Sequence, residues 1–163
     1  MFEAQAITAA TPAEFYAELE RQLTGLLAGE RDLIANAANT ASLIFNTMSD
    51  LNWAGFYFLK GEELVLGPFQ GRPACVRIPV GRGVCGAAVA RRQTVRVEDV
   101  NAFPDHIACD SASRSELVVP LIRDGEVLGV LDLDSPRPAR FTAADQAGLE
   151  RIAALFLSAS GTP

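Results

Sequence analysis

The chain has 163 residues, of which 49% are hydrophobic and 21% charged; that is enough apolar material for one ordinary core, too little length for two comfortable ones, and the balance of a globular rather than a disordered protein. Its formal net charge of −6 argues against nucleic acid or an anionic membrane as the main partner, because the overall field repels phosphate. No run of about 18 apolar residues occurs, and Met1-Phe2-Glu3-Ala4-Gln5 lacks the basic and apolar regions of a secretory signal, so a single cytoplasmic domain over 1–163 is expected.

Taken in order, Thr11-Pro12 offers a cap and a first-turn proline, Phe15, Leu19, Leu23, Leu26 and Leu27 recur at helical spacing, and after a break at 29–31 the run continues through Ile34, Ala38, Leu43 and Phe45. Two helices are predicted within 12–47. Aromatic and branched runs at 53–59 and 63–67 around Lys60-Gly61-Glu62 predict a hairpin, with Trp53, Gly55, Tyr57 and Leu59 on one face of its first strand and Ala54, Phe56 and Phe58 on the other. Residues 68–81, rich in glycine, proline and arginine, predict a loop with a short strand at 76–78. Small residues after Gly83 predict a short helix and 94–97 another strand; the cluster Arg91-Arg92 with Arg96 is read as a solvated helix end. A polar loop at 103–115 follows. Runs at 116–122 and 127–133 around Asp124-Gly125 predict a second hairpin, and Thr142 caps a closing helix through 155–157. The fold class is α+β, with helices packed on a central antiparallel sheet.

Chemistry is concentrated in two residue types. Cys75, Cys85 and Cys109 all lie near turn or loop signals; an odd count in a reducing compartment favours free, metal-binding or catalytic thiols over a static disulfide framework. No metal or cofactor is expected, since there is no C-x-x-C pair and His106 with Cys109 is an isolated pairing. The last strand reads Val127-Leu128-Gly129-Val130-Leu131-Asp132-Leu133-Asp134: both faces begin apolar, then two carboxylates appear on one of them. A buried, unpaired carboxylate is costly or neutralises, so Asp132 and Asp134 must reach the rim, pair, or line a polar pocket. Glu116 can join them only if the hairpin carries an extra residue: a strict two-residue turn pairs it with Leu133, whereas a bulge with Gly125 left-handed places it opposite Asp132. The bulge is therefore expected. Three acids with the indole of Trp53 and the phenol of Tyr57 suit a small cationic or zwitterionic ligand, and their crowding should keep one acid protonated near neutrality.

The blocks Leu51-Asn52-Trp53-Ala54-Gly55-Phe56-Tyr57, Leu66-Gly67-Pro68-Phe69-Gln70-Gly71, Pro73-Ala74-Cys75, Gly81-Arg82-Gly83-Val84-Cys85-Gly86, His106-Ile107-Ala108-Cys109-Asp110-Ser111-Ala112-Ser113 and Gly129-Val130-Leu131-Asp132-Leu133-Asp134-Ser135 together resemble the free methionine-(R)-sulfoxide reductases, single GAF-domain enzymes. The resemblance implies a GAF-like central antiparallel sheet with N- and C-terminal helices on one face and loops plus a short helix on the other. It implies reduction of free L-methionine-(R)-S-oxide, with Cys109 as nucleophile, a sulfenic acid intermediate, Cys75 as resolving thiol, Cys85 available for further exchange, and thioredoxin as reductant. By the same matching Glu116 and Asp134 would hold and protonate the sulfoxide oxygen, Asp132 would assist or bind the ammonium group, and Trp53 and Tyr57 would wall the side chain. Backbone N–H groups around 71–75 are expected to meet the substrate carboxylate, and the loop 68–75 to close over the site. A homodimer is left open. The alternative is a non-catalytic GAF sensor of a small molecule, which leaves the three cysteines without a reason.

Overall fold

The structure is a computed structural model and describes residues 2–162. Its elements are α1 (Pro12–Leu26), α2 (Leu33–Thr47), β1 (Trp53–Lys60), β2 (Glu63–Gly71), β3 (Arg77–Pro79), α3 (Gly83–Arg91), β4 (Val95–Val97), a 3-10 turn at Val100–Ala102, β5 (Ser115–Arg123), β6 (Glu126–Ser135) and α4 (Ala143–Ala159). The strands form one antiparallel sheet in the order β3-β2-β1-β6-β5-β4. Two cores follow from the two-residue period of its strands. On one face Ala54, Phe56 and Phe58 of β1 with Leu117, Leu131 and Leu133 meet α1, α2 and α4. On the other, Trp53, Tyr57, Val118 and Val130 lie beneath Val84, Ala88 and Val89 of α3. Both faces of β1 are as the alternation predicts. No helix among the described residues is long and apolar enough to cross a membrane.

The caps also follow the sequence. Thr11 accepts from Glu14 N, and Thr142 forms a capping box with Asp145, whose carboxylate accepts from Tyr16 Oη at 2.7 Å and so ties α1 to α4. In α2 the helix is as predicted, with Leu43 buried and Phe45 packed against the core, but the first half of the stripe is shifted: Ile34 and Ala38 point outward, and Leu33, Ala37, Ala41 and Ile44 face the sheet. Small Ala37 and Ala41 let the helix approach closely. Asn36 is buried with them because its amide donates to Glu30 O and Ser160 Oγ. The basic cluster is structural: Arg92, the left-handed C-cap of α3, donates to Gly125 O, and Arg96 to Phe141 O.

Two other expectations need correcting. Residues 68–71 are strand, because β2 continues through Pro68: Gly55 pairs with Phe69 and Tyr57 with Leu66. Two β2 residues thus face Phe56 alone, and at a bulge proline loses no ladder donor. In the second hairpin Asp124 (φ 51°) and Gly125 (φ 80°) both take positive φ and close a two-residue turn with Arg123 opposite Glu126. The extra residue enters later, at Leu128, since Ile122 pairs with Val127 but Leu121 with Gly129. The bulge therefore exists, away from the turn, and Glu116 lies opposite Asp134 rather than Asp132, whose partner on β5 is Val118. The bulge settles beside Gly129 because only a residue without a side chain fits there: a Cβ would lie 2.1 Å from Tyr57 O.

Candidate functional site

The bulge puts Glu116, Asp132 and Asp134 on the face covered by α3. Asp134 is flanked by Trp53 on β1 and Glu116 on β5, and Asp132 by Gly55 and Val118. Gly55 leaves its place to neighbours: a Cβ there would meet Phe69 at 2.3 Å and the Trp53 ring at 2.8 Å. The indole consequently lies parallel to Phe69 (centroids 5.3 Å apart) and stacks on Tyr57 (5.8 Å), giving the cavity a stiff aromatic wall. Tyr57 Oη donates to Cys75 O at 2.9 Å, which anchors the loop after β2 at the cavity rim.

The cavity contains about 510 Å³ of unfilled space including its mouth, and all eight residues singled out from the sequence line it or close it. Trp53 and Tyr57 form the wall, Glu116, Asp132 and Asp134 the floor, Cys85 the α3 side, and Cys109 and Cys75 the rim, where the two are joined in a disulfide with Cα atoms 5.3 Å apart. Cys85 is free and buried. Its thiol donates to Asp132 Oδ2 at 3.3 Å and lies 3.9 Å from Glu116 Oε1.

Among the described residues no Lys or Arg pairs with the three acids; the nearest basic group is His106, whose Nε2 is 4.0 Å from Glu116 Oε2. Burial therefore dominates the electrostatics. It raises Glu116 well above the usual carboxylate range, reinforced by Asp132 and Asp134, and it raises Asp134 likewise, reinforced by Asp132. Asp132 rises only to about 6, because hydrogen bonds from Cys85 and Glu116 favour its charged form. The Cys85 thiol is pushed up by burial and then by Asp132. Desolvation lowers His106, so the imidazole near Glu116 is neutral at pH 7. The arrangement is a floor of two acids that burial biases toward the protonated form and one that its hydrogen bonds bias toward the carboxylate, suited to donating protons to an oxygen and holding a cation beside it.

Sequence reasoning gave no role to the residues that hold the cysteine loop. Asn52 donates to Asp110 Oδ2 (3.1 Å) and Ser113 Oγ (3.0 Å), and its own N–H bonds to Asp134 O (3.0 Å). Asp110 also accepts from Ala112 N, the main reason its carboxyl lies below its ordinary range. Asn52 and Asp110 both stand in the motif blocks, but nothing in a linear pattern shows that they touch. His106, set aside as an isolated pairing with Cys109, lies in the cavity beside Glu116.

A curled antiparallel sheet with its ligand cavity roofed by a short helix and two loops is the arrangement of a GAF domain, and the family model described as GAF domain matches residues 31–159. The chain is 56% identical over 141 residues to a free methionine-R-sulfoxide reductase of Escherichia coli (strain K12), covering 86% of each, and 43% identical over 151 residues to one from Saccharomyces cerevisiae, covering 88% of this chain and 84% of that one. It superposes on the X-ray structure of free methionine-R-sulfoxide reductase from Neisseria meningitidis in complex with its substrate with a TM-score of 0.93 and 45% identity, over 98% of this chain and 95% of that one. The chain belongs, within the GAF-domain proteins, to the free methionine-R-sulfoxide reductase family.

Proposed function

We propose that the protein reduces free L-methionine-(R)-S-oxide to L-methionine. The observation that carries the reading is the juncture of Cys75 and Cys109 at the mouth of a cavity floored by Glu116, Asp132 and Asp134. The sulfoxide lies with its oxygen toward Glu116 and Asp134, whose buried acids protonate it, while the ionised Asp132 takes the ammonium group and Trp53 with Tyr57 encloses the side chain. The substrate carboxylate meets backbone N–H groups of 71–75. Protonation makes the sulfur electrophilic, so the Cys109 sulfur attacks an activated sulfoxide even though the surrounding acids discourage its thiolate. The thioether leaves as methionine, the oxygen stays on Cys109 as a sulfenic acid, and the Cys75 thiol displaces it as water to give the disulfide. A dithiol reductant of the thioredoxin class returns both thiols by exchange, which suits a cytoplasmic setting. Cys85, buried on the α3 side of the cavity, serves as a hydrogen-bond donor to Asp132, with later exchange as its only redox role.

The test is turnover. Racemic free methionine sulfoxide with dithiothreitol should lose half its material and then stop, since one epimer fits. Cys109→Ser should be inactive. Cys75→Ser should release one methionine per enzyme with thioredoxin and then stall; sustained turnover in that variant transfers the resolving role to Cys85, and consumption of both epimers overturns the stereochemical assignment.

A further inference from the structure

Cys85 Sγ, one oxygen of Glu116 and one of Asp132 lie within 4.8 Å of one another, and all three residues are buried. A tetrahedral ion with Zn–S of about 2.3 Å and Zn–O of about 2.0 Å holds its sulfur and oxygen ligands roughly 3.5 Å apart. The two spacings here, 3.3 Å and 3.9 Å, bracket that separation. A second observation is independent of the spacing: Asp132 Oδ1, in a residue only 5% exposed that lines the cavity, is buried with no hydrogen-bond partner outside the acid cluster itself. A carboxylate oxygen left to a neighbouring acid in such a place is a strong acceptor for a cation or a donor. The fourth position of a tetrahedral ion here is left to water.

We propose that Cys85, Glu116 and Asp132 bind a zinc-class divalent cation, and that this ion and the sulfoxide substrate exclude one another. One thiolate among oxygen donors favours zinc or cobalt over magnesium and calcium, which require oxygen alone. Ligation releases the thiol proton of Cys85 and the carboxyl proton of Glu116 to solvent and moves no electrons. An ion in this place ties up Glu116 and Asp132 and so holds the protein in an inhibited form; that consequence rests on the proposed reductase reading, whereas the binding does not.

The experiment uses Co²⁺ as the probe on chelator-treated, oxidised protein, where the Cys75–Cys109 disulfide leaves Cys85 as the sole free thiol of the three cysteines. One equivalent should produce a thiolate-to-cobalt charge-transfer absorption that Zn²⁺ bleaches. Cys85→Ser should abolish the band, and Asp132→Asn, with unchanged circular dichroism, should weaken Co²⁺ by at least about tenfold, the loss that even outer-shell partners cause. No band in the wild-type protein, or equal affinity in Asp132→Asn, overturns the site. Exclusion is read in Cys75→Ser/Cys109→Ser, which keeps only Cys85 and cannot turn over: saturating methionine sulfoxide should raise its apparent Co²⁺ dissociation constant at least about tenfold, and an unchanged constant with substrate bound overturns the exclusion. Failure of methionine sulfoxide to bind that variant counts against the reductase reading and leaves the cobalt result standing.

Discussion

At the level of single residues, the three acids divide their work by surroundings rather than by type. Glu116 and Asp134 have burial and like charges against ionisation, whereas Asp132 has hydrogen bonds in its favour and rises only from 3.8 to about 6. The sequence showed where acids break an apolar strand, so their presence in a pocket was legible. Which acid ionises first was not, because that depends on the Cys85 thiol from a helix 47 positions away in the chain. A stability measurement can read the difference. The folded-state pKa of Asp132 lies above its unfolded value, so its neutral form contributes fully below about pH 4, and that contribution is lost as pH rises through about 6. Asp132→Asn is neutral throughout. Its stability relative to wild type should therefore grow across this window by on the order of 2–3 kcal/mol, since each tenfold change in proton affinity is worth about 1.4 kcal/mol. Urea midpoints at a series of pH values should converge near pH 4 and separate above 6; a difference that does not change with pH would refute the assignment.

At the level of elements, the site depends on one inserted residue. Alternation in β1 and the Asp-Gly signal gave the strands and their connection, and the need for three acids to converge required a bulge. Its position was hidden because a turn that closes in strict register gives no local sign of the shift, which falls at Leu128, where β6 lies against β1. The proline and glycines of 67–71 concealed the end of β2 for a similar reason: turn residues also occur where a strand is bulged. Gly129 is the position most sensitive to this geometry, since a methyl group would lie 2.1 Å from Tyr57 O and 2.9 Å from Phe58 Cα, both backbone atoms. Gly129→Ala should destabilise the fold by about 1–3 kcal/mol, the usual cost of overpacking, and lower turnover as β6 moves Asp132 and Asp134 away from Trp53. Equal denaturation midpoints would show that β1 and β6 part without cost.

At the level of the whole molecule, the disulfide joins parts of the sheet that are otherwise distant. Cys75 belongs to the loop between β2 and β3 at one edge, and Cys109 to the loop between β4 and β5 at the other, while the acids and Trp53 lie on the strands between them. The layered architecture was legible from alternation and helical spacing, and the family resemblance already implied the pairing of Cys75 with Cys109; that the pair arches across the sheet was not legible, because it depends on strand order rather than on any local pattern. Oxidation closes a loop with a sequence separation of 34, which by chain entropy stabilises the folded state by roughly 3–4 kcal/mol. The oxidised protein should therefore resist urea more strongly than the reduced protein, and Cys75→Ser/Cys109→Ser should behave like the reduced form and be indifferent to reductant. Because that gain is lost at each reduction, the resting dithiol form should be the looser one, with faster amide exchange at 72–76 and 103–113 than in the oxidised form. Identical urea midpoints and exchange rates in the two redox states would mean that the arch is held by its remaining contacts, such as Tyr57 Oη to Cys75 O and Asn52 to Asp110, and that Cys75 reaches Cys109 without the loop between β2 and β3 moving.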